Sequence, residues 1–153
     1  MRKKSVLGLA GLLLVSFSMV AQNASKSASS SGPTLYKRLG GYDAIAAVSD
    51  DFIGRMAADK QLQRFLVGLS DNSKGHLRQL VVDQLCAATG GPCIYIGRDM
   101  KTAHKGLGIT GSDWDLAVKY LVESLDKFKV PEKEKSELLT IAGSLKGDIV
   151  EKP

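Results

Sequence analysis

The sequence predicts an all-α fold. Apolar residues recur three and four positions apart in successive segments, as one face of a helix requires. Glycine and proline punctuate the gaps between those segments, and no run alternates convincingly between apolar and polar residues as a half-buried strand would.

The elements follow in order along the chain. Residues 34–39 read as one short helical turn, stopped by Gly40-Gly41. Residues 43–58 carry Ile45, Val48, Phe52 and Met56 on one face. Residues 61–67 suit a further short turn before Gly68, and the polar stretch 70–75 reads as a loop. From about Lys74 to Thr89, Leu77, Leu80, Val81, Leu85 and Ala88 form the next apolar face, which Gly90-Gly91-Pro92 ends. A short helix is expected over residues 99–105, closed by Gly106 and Gly108. Thr110 with Asp113 three residues later marks a helix start, and Trp114, Ala117, Val118, Leu121, Leu125 and Phe128 then hold one face for several turns. Pro131 fits the opening of a last helix, with Glu132 and Glu134 at its positive end. Leu138, Ile141, Ala142, Leu145 and Ile149 are its apolar stripe.

The 153 residues suit one domain. Its core excludes the start of the chain. Arg2, Lys3 and Lys4 precede a mostly apolar run from Val6 to Val20, with small residues at Ala21 and Ala24. Residues 1–21 therefore read as a secretory signal peptide cleaved after Ala21, or after Ala24 as second choice. An uncleaved membrane anchor is the alternative, although the run is short of the roughly 20 apolar residues a span needs. Residues 22–33, rich in serine, read as a flexible linker, and residues 34–153 as the folded domain. The expected location is outside the cytoplasm, in a periplasm-like compartment, with no stable membrane span after cleavage. Removing residues 1–21 lowers the formal charge from +5 to +2, and no Lys/Arg stripe interleaved with aromatics points to nucleic acid.

Cys86 and Cys93 are the only cysteines. In an exported chain they can close a disulfide across Gly90-Gly91-Pro92, or remain two thiols if their Cα atoms lie more than about 7 Å apart. Gly106-Leu107-Gly108-Ile109-Thr110-Gly111 matches G-x-G-x-x-G, but it links two helices rather than following a strand, so a dinucleotide site is not implied. His76 and His104 are the only histidines, which argues against a metal held by several imidazoles. One imidazole can still hold an iron whose other four bonds come from a porphyrin. By the residues alone, a solitary helical histidine is surface or core more often than ligand. Met100, one turn before His104, could lie against a flat apolar ring.

Several segments, taken together, carry a resemblance. They are Leu35-Tyr36-Lys37-Arg38-Leu39-Gly40-Gly41, then Asp51-Phe52, then Gly90-Gly91-Pro92. The most telling is Tyr95-Ile96-Gly97-Arg98-Asp99-Met100-Lys101-Thr102-Ala103-His104-Lys105-Gly106, continued by Gly108-Ile109-Thr110. From Leu35 to about Val150 the chain resembles a group I truncated haemoglobin. That resemblance implies a shortened globin, a two-over-two helical sandwich around haem b. It implies that His104 is the proximal iron ligand and that Phe52 packs on the haem. Tyr95, Met100 and Ile109 match pocket-lining positions, and Trp114 falls where relatives often have Phe. Lys74, Arg78, Arg98 and Lys101 are unranked candidates for the propionates.

The resemblance breaks on the distal side. Many members have Tyr after the phenylalanine, where this chain has Ile53. The distal-helix positions that often carry polar side chains fall on Leu77, Leu80 and Val81, with about three extra residues between Gly68 and Leu77 loosening the register. In that register a bound gas meets no strong hydrogen-bond donor. His76, one position earlier, is either a solvated or propionate-side residue or, after a one-residue shift, a donor or second ligand over the iron. The expected function is reversible binding of oxygen or another diatomic gas. The alternatives are a haem enzyme that consumes nitric oxide or peroxide and needs a reductase, and a haem-free helical interaction domain.

Overall fold

The computed structural model describes residues 32–152, so the expected signal segment 1–21 and residues 22–31 of the expected linker lie outside the described residues. Seven α-helices are described: α1 (Leu35–Arg38), α2 (Tyr42–Ala58), α3 (Asp71–Ala88), α4 (Met100–His104), α5 (Gly111–Lys127), α6 (Glu132–Gly143) and α7 (Lys146–Ile149), with a 3-10 turn at Gln63–Phe65. Among the described residues the one non-helical pairing is an isolated bridge between Thr110 and Lys152.

α2 is the central element and packs against both α3 and α5, while α6 packs against α1 and α5, and α7 against α4. Leu35, Val48, Leu121, Leu125 and Leu138 bury one core cluster between α1, α2, α5 and α6. Ile45, Ala46, Val82 and Cys86 bury a second between α2 and α3. Both are the i, i+3, i+4 faces that the apolar spacing specifies. A cavity of about 20 Å³, lined by residues such as Ile45, Val48, Leu85, Leu125 and Leu138, lies in this core and is water-sized at most.

Charged groups fix the helices against one another. Asp51 on α2 accepts from Lys127 (2.5 Å) and Ser124 (2.8 Å) on α5 and from Arg55 (2.6 Å) on its own helix. The ammonium of Lys127, then the Arg55 guanidinium, hold its carboxyl well below the usual carboxylate range against the cost of burial. Arg38 pairs with Glu134 (2.9 Å) and with Glu137, tying α1 to α6.

The end of α3 is locked by covalent and steric means. Cys86 and Cys93 form a disulfide with their Cα atoms 5.7 Å apart. A Cβ at Gly91 would lie 2.6 Å from both Cys86 Sγ and the Tyr36 ring, so only glycine allows the chain to cross there.

Two element boundaries differ from the sequence reading. Residues 71–75 are the first turns of α3 rather than a loop, because Ser70 caps the helix by accepting from the Ser73 amide (3.2 Å). The last apolar stripe belongs to two helices. α6 ends at Gly143, where the Ser144 amide donates back to Thr140 and Ile141 (3.2 Å each), and α7 restarts to pack on α4.

Candidate functional site

Burial is uneven along the helices. On α2 the first half supplies buried Ile45, Ala46 and Val48, whereas Phe52, Ile53 and Met56 in the second half are only half-buried. On α3 the order reverses: Leu77, Leu80 and Val81 are half-buried and Val82 and Cys86 are sealed. On α5, Trp114 and Val118 are half-buried before the sealed Leu121 and Leu125. α2 and α5 run side by side in opposite directions: Asp51 meets Ser124 and Lys127, Arg55 meets Glu123 (2.5 Å) and Tyr120 donates to Asp59 (2.8 Å), while beyond the end of α2 the start of α5 is held by Asp113, which accepts from Gln61 (2.8 Å) and Arg64 (2.6 Å). Large apolar side chains left half-covered in this way have the character of a ligand surface rather than of a finished core.

His104 is the last residue of α4 and is half-buried. Its Nδ1 lies 2.8 Å from the Met100 carbonyl oxygen. A carbonyl can only accept, so Nδ1 carries the hydrogen and donates. The neutral ring then presents Nε2 with its lone pair free, the state in which an imidazole ligates a metal. An imidazole oriented by a backbone carbonyl has the chemistry of a haem's axial ligand, and the half-covered apolar residues of α2, α3 and α5 have the chemistry that a porphyrin's faces require. Among the described residues no cluster of three or more His, Cys, Asp or Glu could hold a metal ion by itself.

The other expected residues take these places. Phe52 packs against the first core cluster. Ile109 is buried, and Met100 is half-buried. Tyr95 is half-buried, with its hydroxyl donating to the Arg98 carbonyl (2.7 Å), and burial followed by the nearby Asp99 charge pushes its pKa up. Ile53, Leu77, Leu80 and Val81 present only hydrocarbon. His76 is exposed on the early part of α3. Arg78 is engaged by Asp50 through two contacts (2.5 and 2.8 Å), and Lys74 lies 3.5 Å from Asp71. Arg98 and Lys101 are exposed and form no ion pair within the described residues.

Two supports escaped the sequence reading. One is the second role of Asp113, whose partners Gln61 and Arg64 are about fifty residues away in sequence. The other is Glu151, which grips the turn after His104 through the amides of Gly106 and Gly108 (2.6 Å each). Neither contact leaves a local pattern, so no periodicity could have found it.

Comparison with known proteins gives consistent matches. The model of the bacterial-like globin family matches residues 34–151. The group 1 truncated haemoglobin of Mycolicibacterium paratuberculosis is 35% identical over 116 residues, covering 76% of this chain and 83% of that protein. That of a Synechocystis species is 33% identical over 115 residues, covering 72% and 90%. Among solved structures, truncated haemoglobin from Tetrahymena pyriformis superposes with a TM-score of 0.71 at 26% identity, covering 77% of this chain and 98% of that one. The 2/2 haemoglobin of a Synechococcus species, in the cyanomet state with covalently attached haem, gives 0.70 at 29% identity over the same shares.

Proposed function

The chain belongs to the bacterial-like globin family, with the two-on-two helical fold of the truncated haemoglobins, and on that premise we propose that it holds a haem on His104 and binds oxygen or another diatomic gas reversibly. The observation that carries this reading is the His104 Nδ1 contact with the Met100 carbonyl, which sets the tautomer that ligates iron. When bound, haem b supplies an iron with an open position for a small gas.

The chain's own residues do the rest. Half-buried Phe52, Met100 and Trp114 offer apolar contact, and burial of a large apolar disc at roughly 25 cal/mol per Å² accounts for much of its retention. Ile53, Leu77, Leu80 and Val81 exclude water from the distal side and supply no hydrogen-bond donor. Oxygen, which becomes polar on binding, is then held with modest affinity and released quickly, whereas carbon monoxide is little affected. Placing a donor there by Val81→Gln is expected to slow oxygen dissociation by about tenfold in stopped-flow measurement, with a much smaller change for carbon monoxide. Very slow release from the unaltered protein would show that a donor already reaches the gas and would overturn this distal assignment.

The apolar distal set lacks a group to move protons for peroxide turnover, and repeated oxidation of nitric oxide to nitrate requires an electron donor to return the iron to the ferrous state, so reversible binding is the reading we favour. Sustained nitric oxide consumption with a reductant present would reverse that preference. Export to an oxidising compartment is part of the same proposal. It is supported by the basic start and apolar run of residues 2–20 and by the Cys86–Cys93 bridge. Among the described residues no helix is long and apolar enough to cross a membrane.

A further inference from the structure

We propose that Glu151 is a positioning residue for His104, fixing the turn from which the imidazole reaches the haem; the role rests on the haem reading above. α4 is five residues long, little more than one turn, and a helix so short has almost no stability of its own. The direction of the His104 ring therefore depends on what holds the two ends of α4. At the start, Asp99 accepts from the Thr102 amide (2.9 Å). At the end, the chain turns through Gly106 (φ +84°) and Gly108 (φ +65°), and the Leu107 amide donates to the His104 carbonyl (3.2 Å).

Glu151 closes that turn. One carboxylate oxygen accepts from the Gly106 amide and the other from the Gly108 amide, each at 2.6 Å. Left-handed turns of this kind can aim several amides at one anion. Here the anion is the chain's own side chain, and charge-assisted bonds of this length are among the stronger kind. Those two amides hold the Glu151 carboxyl below the usual carboxylate range. The grip is anchored from behind. The Glu151 and Lys152 amides donate to the Ile109 carbonyl (2.9 and 3.1 Å), the Gly111 amide donates to Lys152 (3.0 Å), and α7 packs on α4. The segment at 151–152 is thus strapped to both sides of the turn that follows His104. A residue fixing a ligand's backbone acts as an outer-shell partner does, and loss of such partners costs about 10- to 100-fold in metal-site affinity.

The test uses the full chain loaded with hemin, with Glu151→Ala and Glu151→Gln compared with the unaltered protein. Three quantities are followed: hemin transfer to an acceptor, the iron–histidine stretching band of the ferrous protein by resonance Raman, and amide exchange at Gly106 and Gly108 in the hemin-free protein. Glu151→Ala is expected to speed hemin loss by about tenfold, to shift or broaden the iron–histidine band, and to speed exchange at both glycines. Glu151→Gln, which keeps one acceptor, is expected to fall between. Hemin loss and a Raman band unchanged in both variants would overturn the role. So would faster hemin loss with an unmoved band, since that is general destabilisation rather than positioning. If the unaltered protein takes up no hemin, the haem reading falls and the positioning role falls with it. If it takes up hemin normally and Glu151→Ala matches it, only the role of Glu151 falls.

Discussion

His104→Ala is expected to lower hemin affinity by about a hundredfold or more and to abolish the five-coordinate ferrous spectrum, while helical content stays unchanged. The fold should survive because His104 is half-buried at the end of a five-residue helix and makes one side-chain hydrogen bond, to Met100 of the same turn. The affinity should not survive, because apolar contact alone would hold a porphyrin without directing its iron. Imidazole added to the variant should restore much of the spectrum by filling the place of the missing ring. His76→Ala serves as the control: His76 is exposed, so its loss should leave the spectrum as it was. An unchanged spectrum in His104→Ala together with an altered one in His76→Ala would move the ligand to the other face.

The largest loss of stability outside the core is expected at Asp113. Its side chain is 2% exposed, yet it is charged. Burial alone would raise its pKa; donors from Gln61, Thr110 and its amide, and the Arg64 charge, outweigh this and bring it down to about 2. The same carboxylate completes the capping box of α5, accepting from the Thr110 amide (2.9 Å) while Thr110 Oγ1 accepts from the Asp113 amide (3.2 Å). Asp113→Ala thus removes the side-chain half of the capping box, leaving the Thr110 cap itself in place, and releases the 59–65 segment from α5. Together these are worth about 2–3 kcal/mol, or roughly 10 °C in Tm for a domain of this size. The sign with pH follows from a carboxylate pKa lowered by folding. The contribution is complete above the unfolded value near 4 and fades as pH falls toward about 2. The gap in Tm between the two proteins should therefore narrow over that interval, as thermal melts at stepped pH would record. A constant gap would mean that the charge of Asp113 contributes little.

Much of the fold was legible because α2, α5 and the second half of α3 pair their apolar periodicity with clear stops. Phe52, Leu80 and Val118 announce helical faces without any partner being known. The start of α3 was not legible. Its first residues, from Asp71 to His76, are all exposed and include Gly75, so no apolar face marks them, and Ser70 as cap was the only sign. The break after Gly143 was hidden for the opposite reason, since Leu145 and Ile149 continue the apolar spacing across it. For the site, the resemblance carried by Met-x-x-x-His and the glycines after it pointed to His104, and the structure adds the Nδ1 bond to the Met100 carbonyl, which leaves Nε2 free. Asp113 could be read as a cap but not as the partner of Arg64, and Glu151 could not be read at all. Contacts across forty to fifty residues are set by how the helices meet, not by local pattern.

The most direct measurement is titration of the purified full chain with hemin, followed by reduction and exposure to carbon monoxide. One hemin per chain is expected, with a sharp Soret band and a ferrous spectrum of one axial imidazole that carbon monoxide converts completely. A chain that stays colourless, or binds hemin only weakly and without fixed stoichiometry while remaining fully helical, would contradict the haem reading.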